Sequence, residues 1–162
     1  MFSPLVVESA PHPWLFANSN DDPSAVRKTH LAPGEQSDPD ALTILVVDDD
    51  LANLALAEAL LQAEGYQVRV AIDGKAMFAA LQTSTPALIL MDIQLPEVDG
   101  WELTRQLKAN AATRDIPVIA ITAYGETGDQ AKARQGGFVE LLAKPVSTRE
   151  LPAIIRRHLA AR

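Results

Sequence analysis

Five β-prone segments alternate with helical ones along residues 42–160, and that alternation most constrains the fold. The segments are 42–47 (LTILVV), 67–71 (QVRVA), 87–91 (ALILM), 117–121 (PVIAI) and 138–142 (FVELL). Several are apolar without interruption, as strands covered on both faces must be. Helical spacing fills the intervals. Leu56, Ala59, Leu60 and Ala63 mark the apolar stripe of a first helix. Met77, Ala80 and Leu81 mark a second over 74–82, and Leu103 and Leu107 a third over 100–109. A fourth, over 126–135, has only an alanine stripe, with Gly125 and Gly128 at or within its start. Leu151, Ile154, Ile155 and His158 share one face of a fifth over 148–160, and Ser147-x-x-Glu150 is a capping box for its start. Five βα units predict an open parallel sheet with helices on both faces. Such sheets bind ligands beyond the carboxyl ends of their strands.

Those ends carry the chemistry. The first strand runs into Asp48-Asp49-Asp50, the third into Asp92, the fourth into Thr122, and the fifth is followed by Lys144-Pro145. Singly each residue has a plain structural use. Aspartate caps helices and opens turns, threonine favours strands, and Lys-Pro marks a turn. Asp50 is read in that way, as the cap of the first helix. Together the rest form one rim of carboxylates, a hydroxyl and an amine. Clustered carboxylates repel unless a cation joins them, and a hard, oxygen-loving ion such as Mg²⁺ suits them. A carboxylate not wholly committed to the metal can act as a nucleophile toward phosphorus, with metal and lysine offsetting the charge.

Composition removes other chemistries. The chain has no cysteine, and its three histidines lack metal-ligand spacing, which excludes disulfides and thiolate sites. A net charge of −7 argues against a general affinity for nucleic acid. No apolar run is long enough to span a bilayer, and the N-terminus lacks the pattern of a signal peptide, so a cytoplasmic location is expected and no membrane partner. Residues 1–40 hold six prolines among Ser, Asn, Asp and Gly and are read as a disordered arm preceding a domain over 41–162. Leu5-Val6-Val7 and Trp14-Leu15-Phe16 interrupt the arm. They are open to two readings, a docking motif or an extension without a role.

The motifs "ILVVDDD", "LILMDIQLPEVDG", "VIAITAYG" and "LLAKPV", with Asn53 and Gly65, resemble the receiver domain of two-component response regulators over 42–160. The resemblance implies a flavodoxin-like, doubly wound α/β fold of five parallel strands in the order 2-1-3-4-5 with five helices. It implies Asp92 as phosphoacceptor, and Mg²⁺ held by Asp48, Asp49, Asp92 and the backbone carbonyl of Gln94. Thr122 and Lys144 would each bind a phosphoryl oxygen, and the Lys144-Pro145 bond would be cis. The implied phosphodonor is a histidine kinase or a histidine phosphotransfer protein. The chain would then signal by protein contact or phosphorelay, without conventional turnover of an external substrate. The fourth helix, fifth strand and fifth helix are the expected partner or homodimer face. No output domain is expected within the chain. One departure stands out: Leu141 occupies the position where the family commonly has a tyrosine or phenylalanine that moves on activation. Tyr124 is the residue that could cover the same surface. A second reading is a phosphorylation-independent adaptor with a receiver fold. A haloacid-dehalogenase-type phosphatase would need an aspartate where the chain has Gln94.

Overall fold

A computed structural model describes residues 41–123 and 130–161. The arm over 1–40, Tyr124 and the expected start of the fourth helix lie outside the described residues. The elements alternate strictly: β1 Thr43–Val47, α1 Leu51–Ala63, β2 Gln67–Ala71, α2 Gly74–Thr83, β3 Leu88–Asp92, α3 Gly100–Ala109, β4 Val118–Thr122, α4 Gln130–Gln135, β5 Glu140–Ala143 and α5 Leu151–Ala160. All strand pairs are parallel, and the sheet order is β2-β1-β3-β4-β5. This is the open parallel sheet that the alternation predicts, in the doubly wound, flavodoxin-like order that the resemblance implies. Among the described residues no helix is long and apolar enough to cross a membrane.

The two-residue period of the strands divides the core. Ile44, Val46, Leu88, Leu90, Ile119 and Ile121 pack with Leu54 and Leu61 of α1 and Leu151 and Ile155 of α5. Leu45, Val47, Ile89, Met91, Val118 and Ala120 pack on the opposite face with Met77 of α2, Leu103 and Leu107 of α3 and Ala133 of α4. The central strands β1, β3 and β4 are therefore apolar on both sides, whereas the edge strand β2 is mostly half-exposed.

Local signals set the helix starts. Asp50 accepts from the Ala52 amide at 2.8 Å, Asp73 from Ala76 at 2.7 Å, and Asp99 from Glu102 at 2.8 Å. Each such cap is worth about 1 kcal/mol. Ser147 Oγ accepts from the Glu150 amide at 3.3 Å, one half of the expected box, but residues 148–150 form a turn and α5 begins at Leu151, three residues after the expected start, with Glu150 at its N-cap and no side-chain cap there. At the far end of α1, Gly65 adopts φ +88° and the Tyr66 amide returns to the Leu61 carbonyl at 3.1 Å, closing the helix by a left-handed cap.

The expected stripe of α1 is corrected. Leu54, Ala57, Leu60 and Leu61 face the sheet, while Leu56 is 56 % exposed and Ala59 and Ala63 are exposed. With leucine or alanine at most positions, spacing leaves more than one candidate face. The Asp50 cap and the packing against β1 and β3 choose between them.

The β5–α5 edge is held by an ion-pair cluster. Arg157 Nη2 donates to both carboxylate oxygens of Glu140, at 2.6 and 2.8 Å, and His158 Nε2 lies against the same carboxylate. Burial raises the Glu140 pKa, but the bonds from Arg157 and His158 outweigh it and the net shift is downward. A depressed carboxyl stabilises the fold above its unfolded pKa, and that contribution is lost as pH falls through the folded value. Glu140→Gln is therefore expected to lower stability by about 1 kcal/mol at pH 7, with the gap closing in acid. Urea titrations at neutral pH and below about pH 4 check it.

Candidate functional site

Sheet register carries the polar residues to one rim. Val47 lies opposite Met91, so Asp48 and Asp92 follow at the same level. Asp92 lies opposite Ile121 and Thr122 opposite Ala143, which places Thr122 and Lys144 beside them. Backbone bonds continue the ladder past the strands, from the Ile93 amide to the Ile121 carbonyl at 2.9 Å and from the Lys144 amide to the Thr122 carbonyl at 2.7 Å. The Lys144-Pro145 bond is cis.

Asp48 and Asp92 are only 3 % and 2 % exposed, and Thr122 is fully buried. Buried carboxylates need donors, and both have them. Asp92 Oδ1 accepts from the Gln94 amide at 2.9 Å and Oδ2 from Lys144 Nζ at 2.6 Å. Asp48 Oδ1 accepts from the Asp50 amide at 2.8 Å; Oδ2 accepts from Lys144 Nζ at 3.0 Å and from Asn53 Nδ2 at 3.1 Å. Lys144 thus bridges two strands' carboxylates. Asp49 is exposed at the mouth, and single oxygens of Asp48, Asp49 and Asp92 lie within 4.8 Å of one another.

Burial dominates the Asp92 carboxyl and lifts its pKa, against Lys144 and the Gln94 amide, which favour the anion. Burial also works against the charge on Lys144. Its bonds to Asp92 and Asp48 more than offset this, and its pKa is raised. Three carboxylates against one ammonium leave two negative charges in a small oxygen-only site. That donor set fits Mg²⁺, which takes one or two carboxylates and completes its shell with waters and phosphate oxygens.

The loop after Asp92 is locked by a close approach. The Gly100 amide donates to the Ile93 carbonyl at 2.8 Å, and a Cβ on Gly100 would lie 2.5 Å from the Asp92 carbonyl oxygen. Beside Asp48 and Lys144 a crevice of about 440 Å³ opens between α1 and the β5–α5 loop, lined by Asn53, Leu56, Ala57, Pro145 and Thr148 among others.

Of the residues expected at the site, Asp48, Asp49, Asp92, Thr122 and Lys144 come together at this rim. Gln94 stands at its edge with an exposed side chain. Asp50 turns away to cap α1. Leu141 is a core residue, 5 % exposed, in the same cluster as Phe138 and Ala133. Two participants were not assigned roles from sequence. Asn53 was noted only for the resemblance, and its bond to Asp48 needs the phase of α1. Gly100 was legible only as a glycine opening a helix.

A doubly wound parallel sheet with an acid pocket and a lysine at its carboxyl rim is the arrangement of a receiver-type signalling module. The chain belongs to the response regulator receiver domain family, whose model matches residues 44–156. It is similar to the polar-differentiation response regulator DivK of Brucella anthropi, with 38 % identity over 117 residues, 72 % of this chain and 95 % of that one. Among solved structures it resembles a putative response regulator from Chloroflexus aurantiacus (TM-score 0.70, 29 % identity, 74 % of this chain and 98 % of the other). It also resembles the receiver domain of sensor histidine kinase PA1611 from Pseudomonas aeruginosa (TM-score 0.66, 35 % identity, 74 % and 98 %), which was solved with magnesium in its active-site cleft. Receiver domains are signalling modules of two-component systems rather than conventional enzymes.

Proposed function

We propose that Asp92 accepts a phosphoryl group from a phosphohistidine on a histidine kinase or phosphotransfer partner. The observation that carries this is the Asp92 carboxylate, buried at the rim with Lys144 Nζ at 2.6 Å and the Asp48 and Asp49 oxygens within 4.8 Å. An Asp92 oxygen forms the new P–O bond as the P–N bond breaks, and the departing imidazole keeps the electron pair. Asp48, Asp49, Asp92 and the Gln94 carbonyl are the groups proposed to hold Mg²⁺, which would supply charge neutralisation at the phosphoryl oxygens. Lys144 moves from the carboxylates to a phosphoryl oxygen, and the Thr122 hydroxyl donates to another. The crevice between α1 and the β5–α5 loop, with Leu51 and Leu56 exposed on α1, offers apolar footing for the phosphodonor.

Incubation with acetyl phosphate tests the reading without a partner. Intact mass should rise by one phosphoryl group with Mg²⁺ and not with EDTA. An unchanged mass in both arms would favour the adaptor alternative. For the output we propose the face made by α4, β5 and α5, as a surface for a target or a second copy. Leu141 has no ring to reorient, so the signal in this chain runs through α4, which is tied to β5 by Gln130 Nε2 donating to the Leu141 carbonyl at 3.1 Å. Hydrogen exchange along α4 and β5 should change on addition of acetyl phosphate and Mg²⁺; equal protection in both states counts against this face.

A further inference from the structure

We propose that Asn53 is a positioning residue that keeps the Asp48 carboxylate aimed into the pocket while Lys144 changes partners. The inference rests on the phosphoacceptor reading and concerns a residue that reading does not use.

Lys144 Nζ serves two carboxylates at once, Asp92 Oδ2 at 2.6 Å and Asp48 Oδ2 at 3.0 Å. When Asp92 becomes an acyl phosphate, the ammonium follows the new charge to a phosphoryl oxygen. Asp48 Oδ2 then loses its charged donor. It is 3 % exposed, so water is a poor substitute. The donor that stays is Asn53 Nδ2, at 3.1 Å on the same oxygen. A carboxylate offers no proton, so the amide nitrogen is the end of Asn53 that faces it. The Asp50 amide holds the other oxygen at 2.8 Å, and the two bonds together fix the carboxylate plane.

Neutrality matters as much as position. A lysine or arginine at position 53 would satisfy Asp48 but cancel the charge that attracts the metal. The amide orients the carboxylate and leaves its charge intact. Delivery of Asn53 depends on the helix start. Asp50 caps α1 by accepting from Ala52, and the Asp50 carbonyl accepts from the Leu54 amide at 3.1 Å, which turns Asn53 toward Asp48. Asp48 is thus held by one residue that caps α1 and another three positions on.

Calorimetric Mg²⁺ titration of the full chain tests this, with wild type, Asn53→Ala, Asn53→Gln, Lys144→Ala and the Lys144→Ala/Asn53→Ala pair. Partners that orient metal ligands are typically worth about 10-fold or more in affinity. Asn53→Ala should weaken Mg²⁺ binding by about tenfold, and Asn53→Gln should recover most of it. In the Lys144→Ala background, where Asn53 is the remaining side-chain donor to Asp48 among the described residues, the same change should cost a larger factor. Equal affinity of Asn53→Ala and wild type overturns the proposal, as does the same factor in both backgrounds, which would mark Asn53 as structural only. Wild type that binds no Mg²⁺ overturns the metal reading itself and this proposal with it, an outcome visible before any variant is made.

Discussion

Asp92→Asn is expected to take up no phosphoryl group from acetyl phosphate and Mg²⁺, while remaining folded. The amide keeps one oxygen, which can accept from the Gln94 amide or from Lys144 but not from both in the positions the carboxylate used, and it has no carboxylate oxygen to attack phosphorus. Stability distinguishes this loss from unfolding. Burial raises the Asp92 pKa above its ordinary 3.8. A carboxyl raised in the folded state contributes stability below its unfolded pKa and loses it as pH rises through the folded value. Asparagine does not titrate. In EDTA, the stability of Asp92→Asn relative to wild type should therefore climb as pH rises through the carboxylate range, from about 3 to about 6. Urea midpoints across that range measure it, and a relative stability that falls with pH would mean that Lys144 outweighs burial. Phosphoryl mass appearing on the variant would move the acceptor to another residue.

Gly100→Ala is expected to cost about 3 kcal/mol and to impair the site it does not touch through any side chain. Its Cβ would lie 2.5 Å from the Asp92 carbonyl oxygen and 2.8 Å from Ile93 Cα, both backbone atoms. Neither can yield by a rotamer change. Relief requires α3 to back away from β3, dragging the loop that holds the Gln94 amide on Asp92. Both the urea midpoint and the rate of phosphoryl uptake should fall. Gly65→Ala is the contrasting case. It has φ +88° but open space around the added Cβ. Backbone strain alone should cost about 1 kcal/mol there, with phosphoryl uptake unchanged, because Gly65 closes the far end of α1.

The alternation of apolar segments and helical spacing was enough to specify a parallel α/β sheet, because strands buried on both faces read as continuous apolar runs. Strand order entered through the resemblance, and the pairing bears it out. The site was legible for the same reason. Acids, a threonine and a lysine stood at the ends of strands, where parallel topology gathers residues far apart in the chain. Spacing did not choose the buried face of α1, since a helix with leucine or alanine at most positions has no single periodic stripe. Nor did it separate the duties of the three consecutive aspartates beyond the cap. Asp48 is buried, Asp49 is exposed, and Asp50 belongs to the helix.

The sequence by itself determined the fold class, the rim that carries the candidate site and the residue types gathered there, because local propensity and apolar period carry that information. Only the tertiary structure decided that Lys144 bridges Asp48 and Asp92, that Asn53 backs Asp48, and that Gly100 presses on the Asp92 backbone. Each depends on distances of a few ångströms between residues up to 96 positions apart. Such distances are set by sheet register and helix phase, which emerge only when the whole core packs.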